Sequence, residues 1–224
     1  MATAIGYRGM PYAHTAPYPT TKMTTHTAIT NAVGVVLAGG KSSRMGRDKA
    51  ELCLGGEPLL RRAEKSLRSA GCTNILLSGS PRCGWAEEAV SDAVPHTGPV
   101  GGMISSLRAL ADRSPTSISV LFVPIDTPYL SAEFLRAMLE NSIEDDGCAI
   151  IGSPLPVVLR TTKAVLARCA EIAPALTTEH SISIQRFINP LKLCEMAVPD
   201  AIQSQFFNIN TPEDWNKACR DFKN

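Results

Sequence analysis

Residues 32–38 read Ala-Val-Gly-Val-Val-Leu-Ala, a short apolar run with valine at 33, 35 and 36, and it stops on two glycines, Gly39 and Gly40. A run of this length without polar alternation fits a strand buried on both faces. Such strands belong to sheets whose connections cross over, usually through a helix. The chain beyond it keeps that rhythm. A helix opens at Pro58, carries an apolar stripe at Leu60, Ala63, Leu67 and Ala70, and closes at Gly71. Strands are expected at 74–78 and 118–123, with a helix from the Gly98-Pro99 turn between them. Ser131 starts a further helix with Phe134, Leu135, Met138 and Leu139 inward. Strands at 148–151 and 156–159, a helix over 162–172 and a helix capped by Thr211 with Asp214 complete the pattern. The alternation predicts an α/β fold of three layers, α/β/α, built on a mostly parallel sheet. Residues 32–224 form its domain. In such sheets ligands sit at the carboxyl ends of the strands.

The segment after the first strand is Gly39-Gly40-Lys41-Ser42-Ser43-Arg44-Met45-Gly46-Arg47-Asp48-Lys49. Three glycines allow tight turns and let backbone N–H groups approach a polyanion. Four cations stand beside those donors, a combination suited to a nucleoside triphosphate. The common phosphate-binding pattern is absent: Gly34 and Gly39 have its separation, but Gly40 stands where its lysine belongs. Gly-x-Gly-x-x-Gly is absent here too. Lys41 and Arg47 fit solvated surface positions.

Asp126 is the second signal. It follows the apolar run 118–123 and lies between Pro124 and Pro128, as a hard-oxygen ligand held at a sheet edge would. Nucleotide-bound Mg²⁺ takes one or two such carboxylates together with phosphate oxygens and water. Taken alone, Asp126 also fits a turn former before proline. Asn208 and Asn210 alternate on an extended stretch and therefore point to one side.

Composition removes other classes. The 224 residues carry a formal net charge of +1 and only 5% aromatics, so neither a basic field nor stacking platforms for nucleic acid are present. The apolar runs are strand-sized, too short to span a membrane. Seven scattered cysteines lack metal-ligand spacing and fit reduced, mostly buried small hydrophobes of a cytoplasmic protein. Residues 1–31 hold no acid and no hydrophobic period, and are expected to be a disordered extension, with Met23 a plausible start. His96 and His180 fit surface loops.

The run Leu37-Ala-Gly-Gly-Lys-Ser-Ser-Arg-Met-Gly-Arg-Asp-Lys49 resembles the nucleotidyltransferase signature in the form found in molybdenum cofactor guanylyltransferases. Val123-Pro-Ile-Asp-Thr-Pro-Tyr-Leu130 is similar to that family's Pro-Cys-Asp-Thr-Pro segment, Asp92 with Gly98-Pro-Val-Gly-Gly102 to its Asp…Gly-Pro-Leu-Ala-Gly element, and Phe207-Asn-Ile-Asn-Thr-Pro-Glu213 to its Asn-x-Asn-Thr-Pro-Glu. The resemblance implies a nucleotidyltransferase that moves GMP from GTP to molybdopterin and releases pyrophosphate. It implies Asp126 as the Mg²⁺ ligand, and Arg44 and Lys49 against the phosphates. Leu37, Ala38, Gly39, Gly40, Ser78 and Asp92 would bind the nucleotide, and Asn208 and Asn210 the pterin. Ser78 stands where the family often has asparagine. Residues 148–190, which in the family build the pterin pocket, match least. An accessory GTPase and acceptor molybdoenzymes are the partners implied. A cytidylyl relative, a sugar-phosphate nucleotidyltransferase, and a non-catalytic nucleotide-binding accessory protein remain the alternatives; Leu-Ala-Gly-Gly favours guanine over cytosine.

Overall fold

A computed structural model describes residues 31–38, 49–82, 85, 87–94, 97–179 and 181–222. The extension before Asn31, the loop 39–48 with Gly39, Gly40 and Arg44, and His96 and His180 lie outside the described residues.

The strands are β1 (Ala32–Leu37), β2 (Cys53–Leu54), β3 (Glu57–Pro58), β4 (Asn74–Ser78), β5 (Glu88–Val90), β6 (Ser119–Pro124), β7 (Gly147–Ile150), β8 (Ser153–Arg160) and β9 (Leu193–Met196). The helices are α1 (Leu59–Ala70), α2 (Gly98–Ala111), α3 (Ala132–Asn141), α4 (Lys163–Glu179), α5 (Ile184–Ile188) and α6 (Pro212–Asp221). Strands β2 and β3 form a small hairpin, and the others form one sheet in the order β5-β4-β1-β6-β8-β7-β9. Pairs β5–β4, β4–β1, β1–β6 and β7–β9 are parallel, while β8 runs antiparallel to both β6 and β7. All strands of this sheet except β8 therefore end on one rim.

Strand β1 lies inside the sheet, between β4 and β6, because it has nothing to expose. Val33, Val35 and Leu37 face a core shared with α2, α4 and α5, and Ala32 and Val36 face the core under α1 and α3. Strand β6 divides in the same way, with Val120 and Phe122 on one side and Leu121 and Val123 on the other. The fold is thus the expected three-layer α/β/α. Gly34, which has the spacing of a phosphate-loop glycine, has a packing reason instead: a Cβ there would come within 2.8 Å of Leu67 Cδ1 on α1.

Three differences from the sequence reading have physical causes. Helix α4 runs on to Glu179 through Pro174 rather than stopping near 172, because its buried face of Val165, Cys169, Ile172 and Leu176 continues past the proline. Strands β5 and β9 are edge strands of three and four residues, too short to show a period. Of the described cysteines, Cys72, Cys148 and Cys169 are buried, but Cys194 and Cys219 are half-buried and Cys53 is exposed. Among the described residues no helix is long and apolar enough to cross a membrane.

The chain returns to the rim after β9. Ile209 is fully buried, and its N–H donates to the Asp126 carbonyl at 2.9 Å. That pairing docks the segment leading into α6 against the end of β6. Replacing Ile209 with Ala should cost about 2–5 kcal/mol through the cavity it leaves. Urea unfolding of the purified variant is the check, and a loss under ~0.5 kcal/mol would mean that this segment docks by other contacts.

Candidate active site

The rim is built outward from β1. Leu37 pairs with Ser78 at the end of β4 on one side and with Pro124 at the end of β6 on the other. Beyond the strand, Ile125 N–H reaches the Leu37 carbonyl at 3.4 Å, and Arg82 donates from Nη2 to the Ala38 carbonyl at 3.2 Å. The last described residues before the glycine-rich loop are therefore gripped by both neighbouring loops.

On the β6 side, Asp126 has a backbone held from several directions. Ile125 before it is buried, Thr127 after it is buried and donates from Oγ1 to the Pro124 carbonyl at 3.2 Å, and Ile209 fixes the Asp126 carbonyl. The carboxylate faces Lys49, whose Nζ lies 2.9 Å from Asp126 Oδ2 and 2.9 Å from Asn210 Oδ1. Lys49 opens a single 3₁₀ turn, Lys49–Glu51, whose middle residue Ala50 is buried and anchors it. The side chains of the ion pair are 16% and 21% exposed. Exposed pairs contribute about 0–1 kcal/mol; a shielded pair with a third partner is screened less.

Asn210 is held from below. Asp214 accepts from the N–H groups of Asn210 at 3.0 Å and Thr211 at 2.9 Å, while Thr211 Oγ accepts from Asp214 N–H at 3.1 Å. These backbone donors hold the Asp214 carboxyl below the usual range. The capping box expected for α6 thus also positions the asparagine in front of it. Asn208 and Asn210 are both exposed and flank the buried Ile209, so they do share one side.

On the β4 side, Ser78 is buried and Asp92 half-buried against the first turns of α2. The close approach needs a glycine: a Cβ on Gly102 would stand 2.0 Å from Ser78 Oγ and 3.1 Å from Asp92 Oδ1. Ala93 N–H donates to Ser105 Oγ at 3.0 Å and ties the Asp92 loop to α2. Asp92 Oδ1 is buried and makes no hydrogen bond among the described residues, and burial pushes its carboxyl pKa up.

The structure therefore places Leu37, Ala38, Ser78, Asp92, Lys49, Asp126, Asn208 and Asn210 along one rim of the sheet. It brings Lys49, Asp126 and Asn210 into direct contact and sets Ser78 and Asp92 together on the far side of β1. Among the described residues no group of three or more His, Cys, Asp or Glu could cage a metal ion. One carboxylate oxygen and one amide oxygen already converge on a cation, the Lys49 ammonium. That donor set fits a hard divalent ion arriving with phosphate oxygens and water of its own. Two participants were not legible in the sequence. Arg82 lies in an irregular loop with no spacing to mark it, and the spacing of Asp214 marks it only as a helix-capping acid.

The family described as MobA-like NTP transferase domain matches residues 34–190. A molybdenum cofactor guanylyltransferase of Xanthomonas euvesicatoria pv. vesicatoria is 35% identical over 84% of this chain and 94% of its own length. One from Rhizobium meliloti is 35% identical over 82% of this chain and 88% of its own. A crystal structure of a molybdopterin-guanine dinucleotide biosynthesis protein A from Archaeoglobus fulgidus superposes with a TM-score of 0.67 at 20% identity, covering 85% of this chain and 98% of that one.

The raised pKa of Asp92 fixes the sign of a pH effect. Its unfolded carboxyl ionises first, so the native state holds the extra proton between the two pKa values, and stability falls as pH rises through that window. Asp92→Asn removes this loss. The variant should gain stability over the parent as pH rises from about 4 towards 7. Thermal unfolding of both proteins across that range checks it; a variant less stable at every pH would show Asp92 to be a net structural support.

Proposed function

The chain belongs to the MobA-like NTP transferase family, and from that premise we propose that it transfers GMP from GTP to molybdopterin, releasing pyrophosphate and forming the guanine dinucleotide form of the molybdenum cofactor. The observation that carries this reading is the convergence of Lys49, Asp126 and Asn210 at the end of β6, one strand from where β1 enters the glycine-rich loop. The relatives named as guanylyltransferases support the choice of substrates.

In the reaction, an oxygen of the acceptor's terminal phosphate forms a bond to the α-phosphorus of GTP. The bond from that phosphorus to the oxygen bridging to the β-phosphate breaks, and pyrophosphate leaves with the electron pair. No side chain has to form a covalent intermediate; the protein positions the groups and stabilises charge. Lys49 offers a point charge to the phosphates, and Arg44, outside the described residues, offers a planar fork. Asp126 would hold Mg²⁺, which when bound neutralises charge on the phosphates. The Leu37 and Ala38 backbone leads into the loop that would cradle the triphosphate, and Ser78 and Asp92 supply polar contacts to the nucleoside. Asn208 and Asn210 offer amides to the pterin substrate. We assign the activity to the cytoplasm, with an accessory GTPase and acceptor molybdoenzymes as further partners.

Pyrophosphate release with Mg²⁺ and molybdopterin, compared among GTP, CTP and ATP, is the test. Release with GTP alone, lowered by about 10²-fold or more in Asp126→Ala, is the expected outcome. Turnover with CTP alone would keep the chemistry and move the enzyme to cytidylyl transfer. No turnover with any nucleotide would sink the proposal.

A further inference from the structure

Lys49 has a second task on the geometry of this site. Its ammonium lies 2.9 Å from both Asp126 Oδ2 and Asn210 Oδ1. Asp126 is the carboxylate proposed for the divalent ion, so the inference rests on that reading. A magnesium ion sits about 2.0–2.1 Å from its oxygens. An ion taking those two oxygens from the side that Nζ occupies would overlap it, and one beside it would set three positive charges against one carboxylate. In a shielded site like charges at such separations repel strongly. The ammonium and the divalent ion therefore exclude each other.

We propose that Lys49 is the resident cation of the free protein: it holds Asp126 and Asn210 in place, keeps the site from loading a free divalent ion, and gives way only when a triphosphate arrives to receive its ammonium. Two features make the exchange feasible. Lys49 is carried on a single 3₁₀ turn adjoining the glycine-rich loop, so its flexible stem can redirect the charge while buried Ala50 stays fixed. The backbones of Asp126 and Asn210 are held independently of Lys49, since Ile209 N–H bonds the Asp126 carbonyl and Asp214 accepts from the Asn210 N–H. The arriving nucleotide brings about four negative charges, enough to compensate both the lysine and the ion. The consequence is order: metal and nucleotide enter as one unit, and a site without nucleotide stays empty of metal.

The test is titration of the full chain with Mn²⁺, followed through the electron paramagnetic resonance signal of the free ion, with neither GTP nor acceptor present. The parent protein should bind Mn²⁺ weakly, Lys49→Met about tenfold more tightly or better, and Lys49→Met combined with Asp126→Asn no better than the parent. A second titration of the parent with a non-hydrolysable GTP analogue, corrected for the Mn²⁺ that the analogue binds by itself, should tighten Mn²⁺ binding by a similar factor, and no tightening would overturn the proposal. The proposal is overturned if Lys49→Met binds Mn²⁺ no better than the parent, or if the gain survives in the double variant. Micromolar binding of Mn²⁺ to the unliganded parent would overturn it without any variant. Because the first titration contains no acceptor and no nucleotide, its outcome is independent of whether GMP transfer to molybdopterin is the reaction.

Discussion

One ammonium joins three parts of the chain that are far apart in sequence. Lys49 Nζ meets a carboxylate 77 residues away and an amide 161 residues away, both at hydrogen-bond distance. Neither contact is available until the sheet has formed, because Asp126 is placed by β6, Asn210 by the approach to α6, and Lys49 by the turn after β1. The pair is mostly shielded from solvent, and a buried charge left without a partner costs several kcal/mol. Asp126, Lys49 and Asn210 therefore constrain one another, and the rest of the rim is arranged so that each arrives where the others need it.

The supports show how that is achieved. Main-chain groups are what is held: the Asp126 carbonyl by the Ile209 N–H, the Leu37 carbonyl by the Ile125 N–H, and the Asn210 N–H by the Asp214 carboxylate. Each removes freedom from a loop whose tip carries a functional side chain, as preorganisation requires. Parallel pairing does the remainder by bringing the ends of β4, β1 and β6 level, with Leu37 beside Ser78 and Pro124 in register.

Much of this is legible in the sequence because its causes are local. The valines of β1 mark a strand buried on both faces, Pro58 and Gly71 bracket α1, and Thr211 with Asp214 announces the start of α6. The alternation of Asn208 and Asn210 about Ile209 is legible too, since period two needs only three residues. What the sequence does not disclose depends on packing between distant segments. β9 exists because β7 offers it a partner, with Cys194 beside Cys148, and nothing in Leu-Cys-Glu-Met states that. Arg82 meets Ala38 only because β4 and β1 are neighbours. The placement of Asn210 directly on Lys49 has the same origin: spacing gives its side of the strand but not what stands opposite.

The two rim aspartates show what the fold does with one residue type in two environments. Asp126 is matched by an ammonium, and its negative charge is the property in use. Asp92 is withdrawn against α2 with one oxygen buried and without a hydrogen bond among the described residues, which penalises its charged form. Unmatched buried acceptors cost stability, and a ligand that donates to one recovers that cost as binding energy. Gly102 is small enough to let both the Asp92 and Ser78 side chains sit against α2. The sheet thus has a compensated anion where phosphate chemistry is proposed and an uncompensated acceptor where a donor-bearing base or sugar would lie, and β1 sets the distance between them.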